Sequence, residues 1–258
     1  MSGEQVYSAL VEARVERVPG VDGLLLKEKV GGKGVLSHSL DRFDEDERCT
    51  EIIVLVTPTL REWIATDPLT FASPKLRMLD ASDGLHAAVT QAAGTVVVLH
   101  DGLRPNWQLA LLDSLLRQWR PGISVLPAEH LHGQLAQWSI DGTAAAGDTS
   151  AAADIFGSGK PAASTPLRHL TSFVGNSQLC LLETPQVYDK DALATALAAH
   201  PTAVGAPEAC HSAGVPLLLL PARAHNFVMR DGDALHLLRR LLGEAKKGGK
   251  DKYGGLGW

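Results

Sequence analysis

The sequence predicts an α/β fold, with a mostly parallel sheet covered by helices on both faces. Three observations point to it. Short, nearly unbroken apolar runs recur along the chain. Segments with helical periodicity separate them. The chain has 258 residues, 45% hydrophobic and 21% charged, enough to bury a sizeable core. Strands that are apolar at consecutive positions belong in sheets covered on both sides, because a half-exposed strand would alternate.

The elements follow in order. "QVYSALV" (5–11) and "EIIVLVTP" (51–58) read as buried strands, as do "KLRML" (75–79), "TVVVLH" (95–100) and "GISVLP" (122–127). Between them, "DGLHAAVTQAA" (83–93) has small and apolar residues at helical spacing. "NWQLALLDSLLRQW" (106–119) places Trp107, Ala110, Leu111, Ser114, Leu115 and Gln118 near one helical face. The pattern breaks at 141–166, which is rich in Ala, Gly, Ser, Thr and Pro and reads as a flexible low-complexity insertion. A strand-like run from Ser177 then meets the turn Thr184-Pro185-Gln186, followed by a helix with Asp189 or Asp191 near its start. "GVPLLLLP" (214–221) reads as another buried strand. "DGDALHLLRRLLGEA" (231–245) reads as a last amphipathic helix, with Asp231 or Asp233 suited to its N-terminus. The Gly/Lys-rich tail, 246–258, reads as disordered.

Bulk properties narrow the function. A net charge of −5 and a pI near 6.0 argue against a partner with a phosphate backbone, so no nucleic acid is expected. No apolar run reaches the length of about 18 residues that a membrane span needs. The N-terminus lacks a basic region followed by an apolar one, and Cys49, Cys180 and Cys210 form no CxxC pair. Together these predict a cytoplasmic protein with idle thiols.

The polar residues at strand ends carry the chemistry. In an open α/β sheet, ligands collect outside the carboxyl ends of the strands. The strand 95–100 runs directly into His100, Asp101, Arg104 and Pro105. An aspartate there can hold a divalent cation or a ribose hydroxyl, and an arginine can grip a phosphate with its planar fork. Equally, Asp101 could cap the next helix and Arg104 could be an ordinary surface residue. Thr184 and Gln186 could present a hydroxyl and an amide, or form a plain turn. Asn226, between a strand and the last helix, is at a position where Asn is usually a turn residue.

Together these fragments resemble the 2-C-methyl-D-erythritol 4-phosphate cytidylyltransferase family of nucleotidyltransferases. The family has a strand ending in His-Asp-(small)-(small)-Arg-Pro, matched by His100, Asp101, Arg104 and Pro105. A later strand runs into Thr-Pro-Gln, matched by Thr184, Pro185 and Gln186. Near its end Asn-Ile-Lys-Ile-Thr precedes an acidic helix start, partly matched by "HNFVMRDGDAL". Upstream, 31–58 looks like the segment that leads into the family's second strand. The resemblance spans about 5–243, interrupted by 141–166.

The resemblance implies a three-layer, nucleotidyltransferase-like (Rossmann-like) fold with a mixed, mostly parallel sheet. It implies one domain over 1–245, a small arm at about 133–180, and homodimerisation through that arm. It implies CTP and a sugar-alcohol phosphate as substrates and Mg²⁺ as cofactor. Asp101 would hold Mg²⁺ or the ribose, with His100 and Ser82 near the nucleotide. Arg104 would support the loop or the substrate. Thr184, Gln186 and Asn226 would orient the acceptor.

The departures are concentrated after the first strand. Where the family has Ala-Ala-Gly-x-Gly-x-Arg and then Pro-Lys, this chain has "VEARVERVPGVDGLLLKEK" (11–29). Glycines there let backbone N–H groups approach a triphosphate, and bulkier residues do not. Glu12 and Glu16 would repel it. Arg17 is the residue nearest the family Arg, and Lys27 lies close to the family Lys, so these two are the candidate substitutes. Val228 replaces the substrate-binding Lys, Val204-Gly205-Ala206 replaces Thr-Asp-Asp, and Gly175-Asn176 replaces Asp-Arg. Two readings follow. One is a cytidylyltransferase of the isoprenoid-pathway type. The other is a catalytically degenerate member that serves as a binding, regulatory or structural partner.

Overall fold

A computed structural model describes residues 5–13, 25–66, 73–131, 179–222 and 226–242, and the backbone of 135–140 and 168–174. It divides into two compact units. The first is Met1–Glu129 with Leu182–Trp258, and the second is His130–Leu181. The second contains β8 (Leu135–Ile140) and β9 (Arg168–Val174), an antiparallel pair with Leu135 opposite Val174. The segments 141–166 and 246–258 lie outside the described residues.

The first unit is built around one mixed, mostly parallel sheet. β1 (Tyr7–Ala13) runs parallel to both β4 (Cys49–Val56) and β6 (Val96–Asp101). β5 (Leu76–Asp80) extends the sheet beyond β4, again in parallel. On the other side, β11 (Gln186–Asp189) pairs with β6 antiparallel, Gln186 opposite Leu99. β7 (Ser124–His130) follows, and β12 (Leu217–Pro221) pairs with β7 in parallel; β10 (Cys180–Leu182) spans the return of the chain from the second unit to the first. A small antiparallel pair, β2 (Lys29–Val30) and β3 (Lys33–Gly34), leads into the first helix.

Successive residues of a strand face opposite ways, so an unbroken apolar strand feeds two cores. Ala9, Val11, Val54, Val56 and Val98 point into one core. There they meet α1 (Val35–Glu45) through Leu36, Leu40 and Phe43, and α4 (Leu109–Gln118) through Leu111, Leu112 and Leu115. Leu10, Ile53, Leu55, Val97 and Leu99 point into the other. That core is closed by Ala88 and Val89 of α3 (Gly84–Gln91), Leu193 and Ala196 of α5 (Lys190–Ala199), and Ala209 and Cys210 of α6 (Ala206–Ser212). Helices therefore cover both faces, as expected. Two helices complete the described set: α2 (Pro58–Thr66) and α7 (Gly232–Leu241). None of the described helices is long and apolar enough to cross a membrane.

Three sequence expectations change. Gln186–Asp189 is a strand, because pairing with β6 extends it before α5 begins. β12 is not fully buried: Leu218 and Leu219 are 40% and 44% exposed. Among the described residues its only strand partner is β7, and composition alone does not separate an edge strand from a central one. α1, α2 and α6 are helices that the apolar pattern of the sequence does not mark. In α1, Val35, Leu36, Leu40 and Phe43 are buried, while charged residues interrupt the apolar signal.

Candidate functional site at the carboxyl edge

β1, β4, β5 and β6 are parallel, so they end on one edge of the sheet, at Ala13, Val56, Asp80 and Asp101. β11 is antiparallel to β6 and begins at that same edge, bringing Thr184 and the cis Thr184–Pro185 peptide beside Asp101. The turn after β6 presses against β1. The Gly102 N–H donates to the Glu12 carbonyl at 3.0 Å. A Cβ on residue 102 would lie 3.1 Å from that carbonyl and from Leu36 Cδ1, so only glycine fits without displacement.

His100 is the centre of a buried polar network. It is 1% exposed and packs edge-on to Phe43 at 5.5 Å, with Trp107 at 5.4 Å. Nε2 is 3.1 Å from the Arg104 carbonyl, which can only accept, so Nε2 carries the proton. Nδ1 then accepts from the Thr184 hydroxyl at 3.2 Å, and that hydroxyl oxygen accepts the Asp101 N–H at 3.1 Å. Desolvation, with the Arg104 charge adding to it, drives the imidazole pKa down to about 3. The ring is neutral, with both nitrogens engaged. His100, expected near the nucleotide, is therefore an internal brace for the turn.

Arg104 is also internal, at 6% exposure. Its guanidinium donates to the Asn226 carbonyl and pairs with Glu183 Oε1 at 3.2 Å. Asn226 Nδ2 donates to Glu183 Oε2 at 3.0 Å and to the Thr184 carbonyl at 2.6 Å, while its Oδ1 is buried without a partner among the described residues. Gln186 donates to the Glu183 carbonyl at 2.8 Å and accepts from Tyr188 at 2.6 Å. Thr184, Gln186, Asn226 and Arg104 thus converge, but their polar groups largely satisfy one another. Glu183 is the common partner. Burial raises its pKa, opposed by Arg104 and Asn226.

Asp101 is half-buried at the end of β6, its backbone N–H tied to this network through the Thr184 hydroxyl. Oδ1 accepts the Leu103 N–H at 2.9 Å, an Asx turn that leaves Oδ2 without a hydrogen bond among the described residues. Desolvation raises its pKa, opposed by the Leu103 N–H and by the charges of Arg104 and Arg230. Among the described residues no group of three or more His, Cys, Asp or Glu side chains could hold a metal. Mg²⁺ does not need one: it commonly takes one or two carboxylates and completes its octahedron with phosphates and water. Asp101 fits that use.

The remaining candidates are dispersed. The Ser82 backbone N–H and hydroxyl both donate to Asp80 Oδ1, at 2.9 and 2.7 Å, which makes Ser82 part of the turn after β5. Lys27 ends a short 3₁₀ turn (Leu25–Lys27), and its ammonium lies 5.9 Å from the Trp63 ring centroid. Arg17 lies outside the described residues. Sequence reasoning missed Glu183 and Arg230. The available signals were a carboxylate ending the apolar run "LCLLE" and an arginine just before the α7 cap.

No protein-family model matches the chain, and no curated protein matches it. Solved structures do. A 4-diphosphocytidyl-2C-methyl-D-erythritol synthase matches at a TM-score of 0.68 and 21% identity, covering 93% of this chain and 99% of that one. The synthase from Anaerococcus prevotii matches at 0.66 and 15%, covering 92% and 96%. The 2-C-methyl-D-erythritol 4-phosphate cytidylyltransferase from Thermus thermophilus matches at 0.63 and 18%, covering 92% and 98%. The fold is that of the methylerythritol-phosphate cytidylyltransferases. At these identities the likeness is one of fold. On that cytidylyltransferase fold, the turn after β6, the Thr-Pro-Gln segment and the segment 226–230 leading to α7 meet at one edge of the sheet.

Proposed function

We propose that the carboxyl-edge site transfers a cytidylyl group from CTP to a sugar-alcohol phosphate and releases pyrophosphate. An oxygen of the acceptor phosphate forms the new bond to the α-phosphorus as the bond to pyrophosphate breaks. Such chemistry depends on positioning and charge neutralisation more than on covalent help from the protein. The supporting observation is the Asp101 carboxylate, held at the end of β6 by the Thr184–His100–Arg104 network.

Asp101 would hold Mg²⁺ or the ribose hydroxyls; the cation, when bound, offsets charge on the triphosphate. Thr184, Gln186 and Asn226 shape the wall beside it. Arg104 acts through the loop it braces, and Ser82 through its turn. Arg17 and Lys27 are the candidate phosphate ligands from the first loop. The proposal extends to a cytoplasmic location, no nucleic-acid partner and a homodimer formed through 133–180.

A second reading has its own support. The Arg104 charge is matched by Glu183 inside the protein, so it does not remain to neutralise a triphosphate. This favours a protein that keeps the fold and has lost the chemistry, serving as a binding, regulatory or structural partner.

Pyrophosphate release with CTP, Mg²⁺ and methylerythritol phosphate, measured beside thermal shift, separates the two. Turnover that disappears in Asp101→Ala supports the transferase. Stabilisation by CTP without turnover supports the degenerate reading, where ligand at a hundred times its Kd adds about 2.7 kcal/mol. The absence of both turnover and stabilisation excludes a CTP site at this edge.

A further inference from the structure

The site's buried arginine is already engaged. Arg104 pairs with Glu183 and donates to the Asn226 carbonyl, so its charge is balanced inside the protein. An anionic ligand at this edge needs a cation from elsewhere.

Arg230 is carried to that place by two backbone contacts. The Met229 N–H donates to the Leu103 carbonyl at 2.8 Å, so the segment 226–230 runs against the turn that follows Asp101. The bond from Arg104 to the Asn226 carbonyl holds the other end of the segment. Arg230 is exposed and has no ion pair among the described residues, yet its charge reaches Asp101 and favours the ionised carboxylate. The next residue, Asp231, does not compete for it by hydrogen bonding. Its Oδ1 accepts the Ala234 N–H at 2.9 Å and caps α7.

We propose that Arg230 grips the phosphate of the ligand at this site, whether that phosphate belongs to the nucleotide or to the phosphorylated acceptor. This rests on the reading of the carboxyl edge as a phosphate-ligand site. A guanidinium suits the task because its planar fork binds a phosphate with two parallel N–H bonds and stays charged at every relevant pH. Asp101 and Arg230 then divide the work: the carboxylate takes the cation or the hydroxyls, and the arginine takes the anion.

Titration calorimetry on the full chain tests this, comparing wild type with Arg230→Ala and Arg230→Lys. The probes are CTP with Mg²⁺, methylerythritol phosphate, and cytidine as a nucleoside without phosphate. Arg230→Ala should weaken the gripped ligand tenfold or more. Arg230→Lys should fall between, since it keeps the charge and loses the fork. Cytidine should bind all three proteins alike. A loss confined to CTP assigns the contact to the nucleotide, and one confined to methylerythritol phosphate assigns it to the acceptor. Equal affinity of wild type and Arg230→Ala for both phosphate ligands overturns the assignment and leaves the site reading standing. A loss shared by cytidine also overturns it. A wild-type chain that binds neither phosphate ligand overturns the site reading and the assignment with it.

Discussion

His100 links the turn after β6 to the Thr-Pro-Gln segment, 84 residues away in sequence. It does so as a neutral imidazole, and neutrality has a pH signature. The folded-state pKa, about 3, lies below the ordinary histidine value of 6.5. Its stabilising contribution is therefore complete above pH 6.5 and is lost as pH falls, because the unfolded chain takes up a proton that the folded chain refuses. Between pH 7 and 5 this amounts to about 2 kcal/mol. The raised pKa values of Asp101 and Glu183 act in the opposite sense. Their contribution is present below the ordinary carboxylate value and is lost as pH rises through the raised one. Urea denaturation across pH 5–8 should show the histidine loss in wild type and a flatter profile in His100→Phe. At pH 7.5 that variant should be about 1–3 kcal/mol less stable, because the Thr184 hydroxyl and the Arg104 carbonyl lose their partner. A profile unchanged in the variant would remove His100 as the source. Glu183→Ala should cost more, about 3–5 kcal/mol by the same measurement, since it leaves the Arg104 guanidinium buried and unpaired.

At the scale of elements, the sequence left two aspartates open at the start of α5 and two at the start of α7. The structure selects the first of each. Asp189 Oδ1 accepts the Ala192 N–H at 3.0 Å, and Asp231 does the same for Ala234. Asp189 also accepts the Gly122 N–H at 3.2 Å, so it ties the loop before β7 to the start of α5. Asp189→Ala should therefore cost about 1–2 kcal/mol, and Asp191→Ala only a few tenths. Equal costs in chemical denaturation would deny the cap. β1, β4 and β6 are legible because an apolar run covered on both faces is seldom interrupted by a polar residue, whereas β5, read as buried, carries the exposed Arg77 and is only partly covered. β12 was misread for the same reason: "LLLL" looks alike in the middle of a sheet and at its margin.

At the scale of the molecule, the buried hydrophobic side chains of both cores belong to the first unit. The chain leaves this unit after Glu129 and returns at Leu182, and the two crossings are close: the Glu183 N–H donates to the Pro127 carbonyl at 2.9 Å. Replacing 130–181 with a short glycine-containing turn should leave the first unit folded, with one cooperative thermal transition monitored by circular dichroism. A broad, non-cooperative melt would mean that the second unit is needed for the core. The Asp101 site is built wholly from the first unit, so a ligand-induced shift seen in the full chain should persist in the shortened one.

The sequence by itself determined the layered α/β arrangement and the edge of the sheet where polar residues gather, since both depend on local patterns: unbroken apolar strands, and charges placed where a strand stops. It did not determine which of those polar residues satisfy one another inside the protein. His100, Arg104, Gln186 and Asn226 look like binding residues one at a time. The tertiary structure joins His100, Arg104 and Asn226 to partners across separations of 4 to 122 residues, ties Gln186 to Glu183 and Tyr188, and leaves Asp101 half-buried and Arg230 exposed. A buried polar group must find a partner, and partners that far apart in the chain are chosen by folding, not by periodicity.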